Sequence, residues 1–284
     1  EFDSEVWGAR LQADTSFGNN VDLTLGADYE AQNNVGELIF NELSGSAFDQ
    51  GTIRNTGETI SDPPFELDKL GLFAQLQWEA TEWLSLSGGI RNEQFDFRTD
   101  SFTSRGGDFV EGGEIDFDGT VFNVGVVADV NEELNVFAKF SQGFSAPTLG
   151  LFGFPNFVGL NPEGGFAIEE DIEDLQPQKI DEYEIGIRGN WESVSATLSA
   201  FYNFSELGVT FESTPGITTI SELIRSPKRI YGIEGTLDWE LTDNWQVGGI
   251  LSWNEGDIDP NDDGDFRPIS SFDIQPLKVT AYVE

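Results

Sequence analysis

Cysteine, methionine and histidine are all missing from the 284 residues. Without cysteine there is no disulfide framework, no thiolate metal site and no redox pair. Without histidine the usual general base, the Ser-His catalytic arrangements and the commonest metal ligand disappear together. Enzymatic chemistry is therefore a poor expectation. Carboxylate pairs such as Glu169 and Asp174 have the residue type for glycosidic acid–base work, but no spacing or pocket singles them out, and they read as a solvated loop. No run of eighteen apolar residues occurs, which excludes a membrane-spanning helix. Basic residues are scarce too: 14 Lys and Arg stand against 52 Asp and Glu, a net charge of −38. Nucleic acid, which is bound by basic patches, is not an expected partner. The surplus of acid keeps exposed loops soluble and attracts cations.

What the chain does have is glycine (32), aromatic residues (13%, seven of them Trp) and a persistent period of two. Tyr231, Ile233, Gly235, Leu237, Trp239 and Leu241 alternate with Glu234, Thr236, Asp238 and Glu240. After the turn Thr242–Asp243–Asn244, Trp245, Val247, Gly249, Leu251 and Trp253 alternate with Gln246, Gly248, Ser252 and Asn254. Alternation over ten residues on both sides of a tight turn predicts a membrane-length hairpin, one face toward lipid. The same device recurs around 7–29, 70–90, 122–140 and 183–204, and a last strand, Val279–Ala281–Val283, ends the chain. The fold expected is all-β: eleven antiparallel strands joined by five short turns and five long connections, near 31–67, 98–119, 143–179, 206–228 and 255–276.

Short turns on one side and long loops on the other are the mark of an outer-membrane barrel, whose periplasmic turns are tight. A soluble sandwich has shorter strands and looser alternation. Trp78, Trp83, Trp191, Trp239, Trp245 and Trp253 cluster at strand ends, where an interfacial girdle puts them. Eleven is odd, whereas closed bacterial barrels have even counts. With no Met, a strand from the first residues and an unfinished one at Glu284, residues 1–284 are expected to be part of a barrel domain in a longer protein. At about 26 residues per strand and connection, the chain is sized for roughly half of a barrel in the twenty-strand range.

Four segments then carry a resemblance. Phe137-Ala-Lys-Phe-Ser-Gln-Gly-Phe-Ser-Ala-Pro-Thr-Leu149 and Leu175-Gln-Pro-Gln-Lys-Ile-Asp-Glu-Tyr-Glu-Ile-Gly-Ile-Arg188 resemble a strand-and-loop segment and a return strand of TonB-dependent outer-membrane receptors. Ser199-Ala-Phe-Tyr-Asn203 and Arg229-Ile-Tyr-Gly-Ile-Glu-Gly235 are similar to the next two strands of that family. The resemblance covers about 120–254 in order and spacing. It implies a 22-stranded barrel with a plug in its lumen, energised by TonB, taking up a ferric siderophore, haem or cobalamin through the bacterial outer membrane. Nothing here matches the plug, the TonB-contacting box or an aromatic C-terminal strand. The long loop between the motifs has no histidine, which lowers haem and leaves a ferric siderophore as the first expectation. A passive porin is the rival barrel; a barrel-borne protease or lipase is set aside by the missing histidine.

Two loops carry candidate sites. Phe152, Phe154 and Phe157 stand in a Gly- and Pro-broken loop opened by Phe144, and aromatic faces there would stack on a siderophore framework. The plainer reading is packing at the barrel rim. Asp257, Asp259, Asn261, Asp263 and Asp265 form an acidic run in which Asp259, Asn261, Asp263 and Gly264 match positions 1, 3, 5 and 6 of a calcium loop. The twelfth position is Ser270 rather than a bidentate Glu, so half a Ca2+ motif is present beside the plainer reading of a solvated turn. On the polar face, Arg91, Lys139 and Arg188 lie among Glu182, Glu184, Glu234 and Asp238, where wall ion pairs against a plug are expected.

Overall fold

In hydrocarbon a strand must pair its backbone on both sides, and its lipid-facing side chains must be apolar, so a chain with period-two apolar residues and tight turns folds into an antiparallel ladder. The computed structural model describes residues 2–43, 53–103, 109–145, 166–167, 178–213, 221–269 and 274–284. Their strands are β1 (Phe2–Phe17), β2 (Val21–Leu43), β3 (Ile53–Thr81), β4 (Leu84–Thr99), β5 (Phe102–Thr103), β6 (Phe109–Glu111), β7 (Gly113–Asp129), β8 (Leu134–Ser145), β9 (Phe166–Ala167), β10 (Gln178–Asn190), β11 (Val194–Ser213), β12 (Ser221–Thr242), β13 (Trp245–Ile258), β14 (Arg267–Pro268) and β15 (Lys278–Val283). One twelve-stranded sheet runs β1-β2-β3-β4-β7-β8-β10-β11-β12-β13-β14, with β15 also on β13. A separate three-stranded sheet joins β5, β6 and β9.

All eleven strands expected from alternation are present, joined in sequence order. The long connections are shorter than the sequence suggested. β2 continues to Leu43 and β3 begins at Ile53, while β11 reaches Ser213 and β12 begins at Ser221. The ladder needs only backbone groups to continue, so it runs on where the side chains no longer follow the membrane pattern.

One face is apolar and exposed: Leu11 is 76% accessible, Ile185 64% and Val279 66%. In soluble proteins apolar patches of this extent are rare; here the face matches a lipid surface. Successive strands pair Ala138, Ile185, Ala200, Ile233 and Trp253 in one row. That row lies close to the short turns at β8 and far from them at β13, which is the stagger of tilted barrel strands. Aromatic residues bound the apolar band. Trp78, Trp83, Trp191, Trp239 and Trp245 stand by the short turns. Toward the other end, Phe140 packs on Tyr183 at 5.0 Å, Tyr183 on Tyr202 at 6.4 Å, and Trp7 on Tyr29 at 5.0 Å.

The opposite face is polar and encloses a trough of about 850 Å³ lined by residues such as Asp22, Gln77, Asn123, Lys139, Glu184 and Glu234. Aromatic rings on this face lie flat against the wall. A Cβ at Gly26 would run into the Phe73 ring, and one at Gly186 into Phe137. Glycine at these positions lets a ring cover the neighbouring strand instead of standing into the trough.

The two faces give a sharp contrast. Leu198→Arg, toward lipid, is expected to cost about 2–4 kcal/mol, and Thr236→Arg, on the polar face, less than about 1 kcal/mol. Equilibrium urea unfolding of the two variants in liposomes checks this; equal costs would contradict the assigned faces.

Candidate functional site

Beyond the apolar band the faces exchange character without any change of register. In β3 the residues on the polar side of the wall change from Lys69, Gly71 and Phe73 to Leu67 and Phe65, while the lipid side changes from Leu70 and Leu72 to Asp68 and Glu66. β4 and β7 do the same. Leu67 pairs with Phe97 and Phe97 with Ile115; Lys69 pairs with Phe95 and Phe95 with Phe117. The outward row is Asp68, Asp96 and Asp116, next to Glu66, Arg98 and Glu114. The physical cause is the change of solvent. Outside the bilayer, water replaces lipid against the outer wall, and the inner side gains the apolar residues.

The inner cluster is the best-buried part of the described residues. Phe97 is 1% accessible, and Phe95, Phe117, Ile115 and Phe102 of β5 are also buried. Phe65 lies 5.5 Å from Phe97, and Phe144 of β8 lies 5.5 Å from Phe95 with its ring over Gly119. Of the sequence-derived ligand candidates, Phe144 therefore joins this cluster; Phe152, Phe154 and Phe157 lie outside the described residues. The sequence reading missed Phe65, Leu67, Phe95, Phe97, Ile115 and Phe117. Their signal is a period of two in the opposite phase, within or beside segments whose composition is that of loops. On the outer wall Arg98 reaches Glu114 at 2.9 Å and Glu66 at 3.8 Å. The Asp96 carboxyl is pushed above its ordinary value by desolvation, by its hydrogen bond with Asp116 and by the charges of Asp116, Asp68 and Glu114.

On the trough face several charged side chains pair within the wall itself. Arg91 bridges Asp28 at 2.7 Å and Glu93 at 2.6 Å, Arg10 joins the same Asp28, and both guanidinium groups flank Phe73. Lys69 holds Glu30 at 2.7 Å, and Lys139 holds Glu182 at 2.6 Å and Glu184 at 3.8 Å. Arg188 stacks 5.5 Å over Phe137.

The acidic run separates into individual roles. Asp257 pairs with Arg229 at 2.9 Å, and Arg229 stacks 4.1 Å over Phe266. Asp259 is 1% accessible and accepts the backbone N–H groups of Gly264 at 2.6 Å and Asp263 at 3.2 Å. Asp262 and Gly264 take φ of 51° and 88°, the left-handed conformation that wraps the turn round that carboxylate. Asp263 accepts the Asp265 N–H at 2.9 Å, and Asp265 faces Arg267 at 3.4 Å. Among the described residues no three Asp or Glu side chains gather as a metal-holding group; Ser270 lies outside them.

An open antiparallel sheet with a lipid-facing apolar band, two aromatic girdles and a polar concave face is the wall of a transmembrane β-barrel. The family model described as "TonB dependent receptor-like, beta-barrel" matches residues 1–282. The chain belongs to that family, whose members are bacterial outer-membrane proteins. It is 22% identical over 302 residues to the ferric aerobactin receptor of Klebsiella pneumoniae, covering 99% of this chain and 40% of the relative. It is 24% identical over 271 residues to the rhizobactin receptor of Rhizobium meliloti, covering 88% and 35%. The chain thus spans about two fifths of the length of these relatives. Among solved structures, the copper transporter OprC superposes with a TM-score of 0.76 at 18% identity, over 98% of this chain and 41% of that one. The ferripyoverdine receptor of Pseudomonas aeruginosa superposes at 0.70 and 17% identity, over 99% and 35%. Both likenesses concern the fold.

The acidic turn makes a pH prediction. Burial opposes charge on Asp259, but the N–H groups of Gly264, Asp263 and Asn261 outweigh it and hold the carboxyl below its ordinary value. A depressed folded pKa stabilises the turn above the unfolded value of about 4, and that contribution is lost as pH falls through the folded value. Amide exchange at Asp263 and Gly264, corrected for its intrinsic pH dependence, should accelerate in that acid window. Asp259→Ala should produce the same acceleration at neutral pH; unchanged exchange in the variant would contradict the assigned role.

Proposed function

We propose that the protein of which this chain is part takes up a ferric siderophore across the outer membrane, energised through TonB, and receives it at the aromatic mouth of the lumen. The observation that supports this reading is the inner aromatic cluster above the membrane band, in which Phe95, Phe97 and Phe117 are packed away as a core and hold the half-buried rings of Phe65 and Phe144 at its surface. A passive porin needs a polar, wet lumen throughout and has no use for an apolar shelf at its entrance. A receptor for a bulky, scarce ligand needs apolar and aromatic contact area with a few polar groups to orient it. The names of the two curated relatives, receptors for aerobactin and rhizobactin, favour the siderophore class. With no histidine in the chain, an imidazole ligand to haem iron has no source here. No catalytic step is assigned to any residue.

The acidic turn is read as self-capped. The Asp259 carboxylate is spent on backbone N–H groups, and a calcium ion would have to displace them. Calcium added to chelator-treated receptor is therefore expected to leave the thermal melt and the protease pattern of the 257–267 turn unchanged, and a rise of several degrees would overturn this reading.

Uptake is tested on the full-length receptor with a panel of ferric siderophores, cobalamin and haem. At least one ferric siderophore should bind, and Phe144→Ala should weaken it about tenfold, the loss of one aromatic contact. Heat-modifiable gel mobility should stay that of a folded barrel. Binding of cobalamin with no ferric chelate bound would sink the proposal.

A further inference from the structure

Above the membrane band the wall parts between β7 and β8. The two strands pair from Asp129 and Asn135 up to Asn123 and Ser141, and no further among the described residues. Each then continues with its other neighbour, β7 on β4 as far as Gly113 opposite Thr99, and β8 on β10 as far as Ser145 opposite Gln178. Phe144 marks how they part. By alternation it belongs to the face of β8 that carries Ala138 and Phe140 toward lipid, yet its ring lies where a Cβ of Gly119 would point, on the inner face of β7. The upper end of β8 is therefore tucked behind β7, and the rim of β7 stands in front of it.

The strand geometry identifies the backbone groups on that rim. The Asp129 N–H donates to the Trp83 carbonyl, just before β4, and the register of β7 on β4 is unbroken from Ala128 to Gly113. In an antiparallel strand the N–H and C=O of one residue point to the same side, and those of the next residue to the other. Glu114, Asp116, Asp118 and Thr120 consequently turn their N–H and C=O away from β4, toward the side that β8 has left. No backbone bond reaches them there among the described residues. The same four residues are exposed, with their side chains on the outer face. Arg98 holds Glu114 at 2.9 Å, whereas Asp116 and Asp118 have no cationic partner among the described residues.

A strand rim with unmet N–H and C=O groups is a template for another strand. The carboxylates select which strand. A second copy of this rim would bring further carboxylates against Asp116 and Asp118, and like charges directly opposite are unfavourable. A segment with lysine or arginine at every second residue pairs with them while its backbone completes the ladder, and its intervening apolar residues face inward beside Phe144. We infer that the β7 rim from Glu114 to Thr120 takes up an extended basic segment of a second protein as an added strand. The rim lies at the end opposite the short periplasmic turns, so this partner arrives from outside the cell. The inference goes beyond uptake and rests on the fold of the wall alone.

The test uses the full-length receptor in nanodiscs and a peptide of about nine alternating lysine and valine residues, long enough to span the rim. Amide exchange at Asp116 and Asp118 should be fast in the receptor alone and about tenfold slower with the peptide bound. A fully N-methylated peptide keeps the charges and has no ladder donors; it should bind at least about tenfold more weakly. Asp118→Pro removes one rim N–H and no bond to β4, and should weaken the unmodified peptide about fivefold. Asp116→Asn combined with Asp118→Asn should weaken it to a similar extent, with heat-modifiable gel mobility retained. Equal binding of the N-methylated peptide would mean charge adsorption alone and would overturn the inference. Slow exchange at Asp116 and Asp118 in the receptor alone, or no binding of the peptide, would overturn it as well, since the rim would then be taken already or unable to accept a strand. None of these readouts involves a siderophore, so their failure is distinct from a failure of uptake.

Discussion

The structure depends on one constraint: a peptide group in hydrocarbon has no water to bond and must find its partner within the protein. A chain without a long apolar helix can meet that demand only with a ladder, and the ladder dictates most of the molecule's other features. Adjacent strands pair residue by residue from β1 to β13 through the membrane band. The pleat then sends alternate side chains to opposite faces, one for lipid and one for the lumen. The apolar composition stays low because only half of each strand has to be apolar.

The ladder is indifferent to its surroundings, and function enters through that indifference. Backbone pairing continues beyond the bilayer in β3, β4 and β7, but the solvent outside changes from lipid to water. The side chains exchange faces in response, so that Asp68, Asp96 and Asp116 point out where Leu70 and Leu72 did lower down, and Phe95, Phe97 and Phe117 point in. Within the membrane the inner wall is charged and hydrogen-bonded, with ion pairs such as Arg91–Asp28 closing part of the charge. Above it the same wall becomes an aromatic shelf. The wall is thus graded, with a buried aromatic cluster beyond the membrane band and a charged, hydrogen-bonded face within it.

Much of the ladder was legible in the sequence because the period of two is imposed locally, by the pleat, and leaves its trace in runs such as Tyr231 to Leu241. The same rule failed at the ends of the strands. Phe65-Glu-Leu67 and Phe95-Asp-Phe97 also alternate, but in the phase opposite to Leu70 and Ile90, and a search for one continuous apolar face stops at the reversal. Phe144 was noticed as the opening of a loop, yet its contact with Phe95 joins strands about fifty positions apart in the chain, and no local pattern records that. The acidic run was noticed for its ligand-type spacing. Its outcome turned on hydrogen bonds and ion pairs, Asp259 to the backbone and Asp257 to a distant Arg229, that composition does not reveal.

By itself, then, the sequence determined that this protein is a ladder of membrane-length antiparallel strands with tight turns at one end, because alternation and turn residues act over neighbours only. The tertiary structure alone decided where the membrane band ends, which aromatic residues meet above it, and which partner each carboxylate of the acidic run takes. Those properties depend on which strand lies beside which and on the medium each face meets, and neither is a property of any single stretch of the chain.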